Sequence, residues 1–551
     1  MPKLAKLSRA VSSSRREHQA GKLSLWELGA LISFLGVLSG FALFWHTANG
    51  HTLYFGDAAA HLAIARRIVD SRTPGVFQIG SVWLPLPHVL MLPLVGRDSW
   101  WRSGLAGALP TALAFLLGGV FLYLAVRRLY GCRRTAGLAA ALYALNPNLL
   151  YLQAIPMTEP LFLGALMGLF WALVTYASRP SLGAVAGAAL ALNAASLTRY
   201  EGWFVTPFAA LLFWLAGRPR RLGYGLLLAG LGALGPLWWL FHNWWFFGDV
   251  WYFFDGPYSA KAIYQRQLQA GMSPYPGDHN WKQAVIQFQA AVQLCSGKTL
   301  FWLGLAGLLA AVFQRAWLGL ALLILPSIFY LVSIYSAGTP IFVPHLWPYS
   351  YYNIRYGFAA YPLLILGACS LAAVAPKRLR TASAVAVVLL AVAPWLAYPR
   401  KESWMVWKES QVNSEARRAW TAEAASYLQQ HYRPGAGIFS TLGDLASIYR
   451  EAGIALKEVL HEGNRPHWDA VLARPDLFLW EEWAVAVSGD PVATAVLRAR
   501  RRGPRYECVK IISIKEAPVI EIYRRMGPID RIISANANHE DSVRQGARRP
   551  Q

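Results

Sequence analysis

Asp57 stands in YFGDAAAHL and His61 follows four residues later. On a helix that spacing puts the carboxylate and the imidazole on one face, where the acid is suited to taking a proton from a hydroxyl. Asp is also a favoured helix N-cap, and the two roles coexist. Glu159, in QAIPMTEPLF, is a second acid, set between apolar runs in a loop too short to solvate it well. Thr158, Glu159 and Pro160 also make a reasonable helix start. Arg199 and Glu201 flank Tyr200 in SLTRYEGWF, either as a local ion pair at a chain reversal or as a binding pair. VPHLWPYSYYNIRYGFAAYP carries His345, Arg355 and Tyr356. The planar fork of Arg355 suits a phosphate, although an Arg at a membrane edge also snorkels to headgroups. Lys261 and Arg266 lie among Trp244, Trp245, Trp251, Tyr252, Tyr258, Tyr264 and Trp281. Such rings stack on sugar faces, but an aromatic membrane-interface belt explains most of them.

No P-loop, GxSxG, HExxH or dinucleotide fingerprint is present, so chemistry driven by ATP or zinc has no support in the sequence. Cys132, Cys295, Cys369 and Cys508 are far apart, without a CxxC pair, and indicate neither a zinc site nor a disulfide framework. No cofactor is required by any motif. Metal use stays unassigned, because Asp57 and Glu159 are also chemically able to share a divalent cation.

These residues sit in a chain of 551 residues, 55% hydrophobic and 15% charged, with a formal net charge of +23. Soluble domains are closer to 45–50% apolar and about 25% charged, so a simple cytosolic globule is excluded. The positive charge alone would fit nucleic acid or anionic lipid, and its distribution decides for the membrane. Only ten of the 29 acids precede residue 399: Glu17, Glu27, Asp57, Asp70, Asp98, Glu159, Glu201, Asp249, Asp255 and Asp278. A membrane body is followed by a water-soluble part, and no nucleic-acid partner is expected.

A spanning helix needs about 20 mostly apolar residues. About eleven candidates are centred near residues 36, 115, 143, 169, 190, 210, 232, 306, 326, 366 and 389. The first, from Leu25 to Trp45, is longer than a signal h-region and lacks a clear cleavage site, so it reads as a retained span. With the N-terminus inside, the inner segments hold 18 of the 29 basic residues before position 399, and only Glu17 and Glu27 among the acids. That asymmetry is the one cytoplasmic loops show. The other eight acids fall outside, as does the C-terminal part. The long outer segments run from about His46 to Ser103, His242 to Lys298 and Ser336 to Tyr356, and function is expected there. Asp57 to Asp70 reads as an interfacial helix with Arg66 and Arg67 on its polar side. GSVWLPLPHVLMLP after it reads as a surface or re-entrant segment.

The expected division is a basic cytoplasmic N-terminus (1–24), a transmembrane domain (25–398), an extracytoplasmic α/β domain (399–534) and a disordered tail (535–551). In the α/β domain, helical patterns fall near Ala416 to Gln430 and Leu442 to Ala452. Strand patterns fall at Gly437 to Ser440, Phe478 to Val487, Val509 to Ile514 and Val519 to Tyr523. His461, Glu462 and Asp444 look like scattered surface polar residues rather than a site.

Taken in order, YFGDAAAHLAIARRI, WLPLPH, MTEP, LTRYEG and NIRYGFAAYP resemble the GT-C superfamily of polyprenyl-phosphate-dependent glycosyltransferases. The likeness is strongest to the protein-mannosyltransferase-like, ArnT-like branch of family 39 and covers roughly residues 25 to 400. It implies a mostly α GT-C membrane fold with a soluble C-terminal domain tied to acceptor choice. It also implies transfer of a sugar from a polyprenyl-phosphate donor to an acceptor protein, glycan or lipid at the outer face of a bacterial-type plasma membrane. Asp57 would be the base or orient the acceptor, with Glu159 as the second-loop acid. Arg199 and Arg355 would contact phosphate or sugar, alongside His61, Glu201, Lys261, His345 and Tyr356. Many members have an acid beside the first one, whereas this chain has Ala58, which leaves the division of labour between Asp57 and Glu159 open. The branch generally works without a metal.

Two other classes compete. A transporter or flippase would be expected to carry ionisable groups at mid-membrane depth or repeated halves, and neither is evident. A scaffold would place the working part in the soluble domain, which has no catalytic motif.

Overall fold

The computed structural model describes residues 23–217, 221–397, 403–500 and 503–527. The basic N-terminal segment, the boundary near Tyr398 and the tail from 535 lie outside the described residues. The chain divides into two compact units. One takes Met1–Leu53, Ser81–Met91 and Ser103–Val412, and the other takes Tyr54–Gly80, Leu92–Arg102 and Asn413–Gln551.

The first unit is built of helices. Among the described residues, seven helices are long and apolar enough to cross a membrane, or up to eight if Trp281–Ser296 and Lys298–Phe313, bent by 110°, form one broken span. All eleven expected centres lie in helices, yet the count of eleven spans is not reached by length and composition. Arg133–Ala144, Leu182–Ser196 and Tyr200–Ala216 have 12, 15 and 17 residues, short of the roughly 20 needed for a perpendicular crossing. Each apolar centre falls in a helix, but the runs are cut: the Leu105–Tyr130 helix stops at Gly131, in the left-handed region with φ 62°, Arg133–Ala144 follows it, and Pro147 starts another short helix.

Ion pairs fix which helix ends share a face. Glu27, in the first turn of Leu25–Ala48, binds Arg127 Nε at 3.0 Å and Arg133 Nε at 2.9 Å. Arg127 lies in the last turn of Leu105–Tyr130, so the start of one span and the end of the next meet. Arg134 donates to the Lys377 carbonyl at 3.3 Å, just past the Ile354–Val374 span, and joins the same end. The sequence-based sorting put all of these groups on one side.

Backbones approach closely where Lys298–Phe313 packs on Tyr361–Val374. A Cβ on Gly307 would lie 1.9 Å from the Gly367 carbonyl oxygen, and one on Gly367 would lie 2.1 Å from that of Gly304. Only glycine fits this crossing.

The second unit joins Tyr54–Gly80 and Leu92–Arg102 to the C-terminal region. The expected interfacial helix is Gly56–Val69, but its arginines do not face solvent as a polar side should. Arg66 is buried, with Nε 2.8 Å from Asp70, Nη2 2.8 Å from Asp98 and Nη1 2.8 Å from the Val95 carbonyl. Arg67 donates to the Gln78 carbonyl at 2.6 Å. These bonds tie the helix to its own unit. The proline-rich segment is a helix, Leu86–Val95, with Pro93 inside it.

A five-stranded sheet forms the core of this unit: β1 (Ile438–Ser440), β2 (Val459–Leu460), β3 (Trp483–Val487), β4 (Arg505–Ile512) and β5 (Ile520–Met526). The order is β2-β1-β3-β5-β4, with β1 parallel to β2 and β3 and the other pairs antiparallel. Phe439, Leu460, Trp468, Val492 and Val496 pack together between the sheet and its helices.

Candidate active site

Within the first unit three helix starts bring charged groups together. Glu159 begins Glu159–Ser178, Arg199 is the N-cap residue of Tyr200–Ala216, and Arg355 is the second residue of the turn Ile354–Ala360 leading into Tyr361–Val374. The Glu159 side chain does not cap its own helix. Its Oε1 accepts from Arg199 Nη1 at 3.1 Å and from Arg355 Nε at 3.0 Å. Glu159 Oε2 is buried and has no hydrogen-bond partner.

Arg199 is held from several sides. Its Nε is 2.6 Å from Glu201 Oε1, its Nη1 donates to the Thr158 hydroxyl at 2.6 Å, and its Nη2 donates to the Tyr330 hydroxyl at 2.6 Å. The Tyr330 hydroxyl in turn donates a hydrogen bond to Glu201 Oε1 at 2.5 Å. The expected Arg199–Glu201 ion pair therefore forms, and is also part of a larger network. Arg355 Nη1 reaches Glu409 Oε1 at 3.2 Å, while Glu409 also accepts from the backbone N–H groups of Asn353 and Ile354 at 2.8 and 3.0 Å. Tyr356 lies 5.0 Å from the guanidinium carbons of both Arg199 and Arg355, and its ring stacks on Tyr330 with centroids 4.8 Å apart.

Glu159, Glu201, Arg355 and Glu409 are all buried. Burial makes each unmade bond expensive and each made bond strong, so two cations and three carboxylates hold one another in fixed positions. Glu159, Glu201, Arg199 and Arg355 line a cleft of about 10 Å³, together with Tyr330, Tyr356 and Phe358. That is roughly space for one water.

Sequence reasoning does not single out Glu409 or Tyr330, and it reads Thr158 only as part of a helix start. Glu409 follows the composition change near Tyr398 and reads as part of the soluble domain, yet it belongs to the first unit. Tyr330 is hidden in the apolar run LPSIFYLVSIY, where a tyrosine gives no signal until its hydroxyl finds a partner.

Asp57 belongs to the other unit, in the first turn of Gly56–Val69. The N-cap position is occupied by Phe55, so Asp57 is not the cap; there it meets the positive end of the helix dipole. The Arg417 guanidinium donates to the Tyr54 carbonyl at 2.5 Å and occupies the space over Gly56, where a Cβ would lie 2.4 Å from Nη1. Burial pulls the Arg417 guanidinium below its ordinary range, and the charges of Asp444 and Asp57 oppose this. His61 is buried on the same helix.

The remaining expected residues lie apart. Lys261 is exposed and pairs with Asp255 at 2.6 Å over the Phe254 ring. His345 is exposed in its loop. Among the described residues no group of three or more His, Cys, Asp or Glu is placed to hold a metal ion.

Residues 101–239 match the family described as dolichyl-phosphate-mannose-protein mannosyltransferase. No curated protein matches the chain. Among solved structures, ArnT from Cupriavidus metallidurans bound to undecaprenyl phosphate is 15% identical with a TM-score of 0.53, covering 91% of this chain and 98% of that one. ArnT from the same organism in the apo state is 15% identical with a TM-score of 0.49, covering 84% and 93%. The Archaeoglobus fulgidus oligosaccharyltransferase in its apo form is 13% identical with a TM-score of 0.44, covering 84% and 70%. The likeness to undecaprenyl-phosphate-bound ArnT is one of fold over nearly the whole length of both chains.

Proposed function

We propose that this integral membrane protein, a glycosyltransferase of the GT-C superfamily and of the family 39-like kind, moves a sugar from a polyprenyl-phosphate carrier to an acceptor at the outer membrane face. The observation that carries the reading is the double claim of Arg199 and Arg355 on one oxygen of Glu159. Two guanidinium forks held at the mouths of spans are suited to a phosphate whose lipid chain stays in the bilayer. The ArnT structure with undecaprenyl phosphate supports a donor of that class.

The reaction balances simply. An acceptor hydroxyl oxygen attacks the anomeric carbon, the bond from that carbon to the phosphate oxygen breaks, and the hydroxyl proton passes to the Asp57 carboxylate. The lipid phosphate leaves with the bonding electron pair. One displacement inverts the anomeric centre. Proton removal of this kind contributes about 10²–10⁴ in rate, and the arginines stabilise charge growing on the departing phosphate. Glu159 is assigned to holding the arginines apart and oriented until phosphate replaces it. Because the cleft is small, the rings of Tyr330 and Tyr356 must part for the donor. Glu201 anchors this machinery, while His61, Lys261 and His345 are assigned to donor or acceptor contacts away from it.

We also propose an outward-facing C-terminal domain and a cytoplasmic N-terminus, on the loop charge asymmetry. Purified Asp57→Asn protein is expected to fold and to release no lipid phosphate from donor. Turnover at the wild-type rate would remove Asp57 from the role of base.

A further inference from the structure

A second cleft in the first unit, of about 450 Å³, is lined by Pro276, Gln283, Gln287, Leu346 and Trp347. This is within the range of about 300–1,000 Å³ common for small-ligand sites. No charged side chain lines it. Gln287 is 2% exposed and donates through Nε2 to the Trp347 carbonyl at 3.0 Å, while its Oε1 is buried with no hydrogen-bond partner. Leaving such an acceptor unmade costs about 1–3 kcal/mol, which a ligand hydroxyl would relieve. Trp347 is 54% exposed, so its ring is available for stacking.

The Trp281–Ser296 helix relates this cleft to the charged one. Gln287 faces the second cleft, and the next residue, Phe288, packs on the ring of Tyr330 with centroids 6.2 Å apart. Tyr330 bonds both Arg199 and Glu201. The roomy neutral cleft thus lies one aromatic layer from the cramped charged one.

We infer that the cleft between Gln287 and Trp347 binds a neutral, hydroxyl-rich ligand, a saccharide ring of the acceptor, stacked on Trp347 and donating to Gln287 Oε1. An indole face and two carboxamides without a formal charge match a sugar, whose faces are apolar and whose rim is made of hydroxyls. An anionic headgroup or charged peptide finds no counter-charge there. The assignment rests on the glycosyltransferase reading and narrows its acceptor to a glycan.

The test is ligand-observed NMR titration of the full chain in lipid nanodiscs, free of glycoside detergent, with maltotriose, methyl hexosides and pentosides, and glucuronate as the charged control. Saturable binding of at least one neutral saccharide is expected, weakened at least tenfold by Trp347→Ala and by Gln287→Leu, with glucuronate binding more weakly. Trp347 is largely exposed, so its variant stays informative if Gln287→Leu does not fold. Binding by no saccharide, binding unchanged in Trp347→Ala, or equal binding of glucuronate would overturn the assignment. In the same wild-type preparation, lipid phosphate release from a donor panel supplied with glycan, lipid and peptide hydroxyl acceptors separates the two claims: release without saccharide binding sinks the cleft and leaves the transferase, and no release sinks the transferase.

Discussion

Arg355 Nε donates to Glu159 Oε1 at 3.0 Å across 196 residues of sequence, and both side chains are about 5% exposed. The pair joins the starts of two apolar spans, and Arg199 bonds the same carboxylate oxygen. Separate short motifs become one structure through it.

Replacing Arg355 by Lys keeps the charge and loses the fork that reaches Glu159 and Glu409 together. Lipid phosphate release is expected to fall by about 10²–10³, the cost of one preorganised donor at a developing charge. Steady-state kinetics on folded protein checks it, and a wild-type rate would show that charge alone suffices.

Gly56→Ala and Arg417→Ala act on one contact, because a Cβ at 56 displaces the Arg417 guanidinium. Each is expected to lower turnover about tenfold, and the double variant is expected to lose no more than the worse single one, since residues in contact do not add. Additive losses would separate Arg417 from the Asp57 turn.

His461 carries a pH dependence. Burial, and then the nearby charges of Arg67 and Arg72, hold its imidazole well below the ordinary range, with the Ser71 hydroxyl 3.1 Å from Nε2 and the Gly463 N–H donating to Nδ1 at 3.0 Å. The folded form stays neutral while the unfolded chain takes up a proton below about pH 6.5. The unfolded state then binds more protons, so stability falls as pH drops from about 6.5 toward the depressed folded value, by about 1.4 kcal/mol per pH unit. Hydrogen exchange of β1 and β2 between pH 7.5 and 5 checks this, and His461→Gln is expected to flatten the slope.

Gly367→Ala puts a methyl against the Gly304 carbonyl and is expected to destabilise the membrane unit by at least about 1–3 kcal/mol. Thermal unfolding in nanodiscs reads it, and an unchanged midpoint would mean the two helices can move apart freely.

Much of this was legible in the sequence because it is written in hydropathy and charge. Span centres, the shared face of Glu27 with Arg127 and Arg133, and four of the five strands follow from local pattern. β2 has only two residues and leaves almost no periodic signal. Glu159, Arg199 and Arg355 were singled out by their positions at span ends, but their convergence depends on packing between distant helices. Glu409 was hidden for the opposite reason: it follows the composition change, and only the fold returns it to the membrane unit. Arg66 read as a polar-face residue because helix periodicity cannot show that Asp98 arrives to pair with it.

The account is tested most directly by supplying purified protein in nanodiscs with a panel of polyprenyl-phosphate sugars and a panel of glycan, lipid and peptide hydroxyl acceptors, and quantifying free polyprenyl phosphate, for wild type beside Asp57→Asn and Arg355→Lys. Release by the wild type from at least one donor, absent in Asp57→Asn and reduced by about 10²–10³ in Arg355→Lys, is the predicted result. No release from any donor, or undiminished release by both variants, would contradict it.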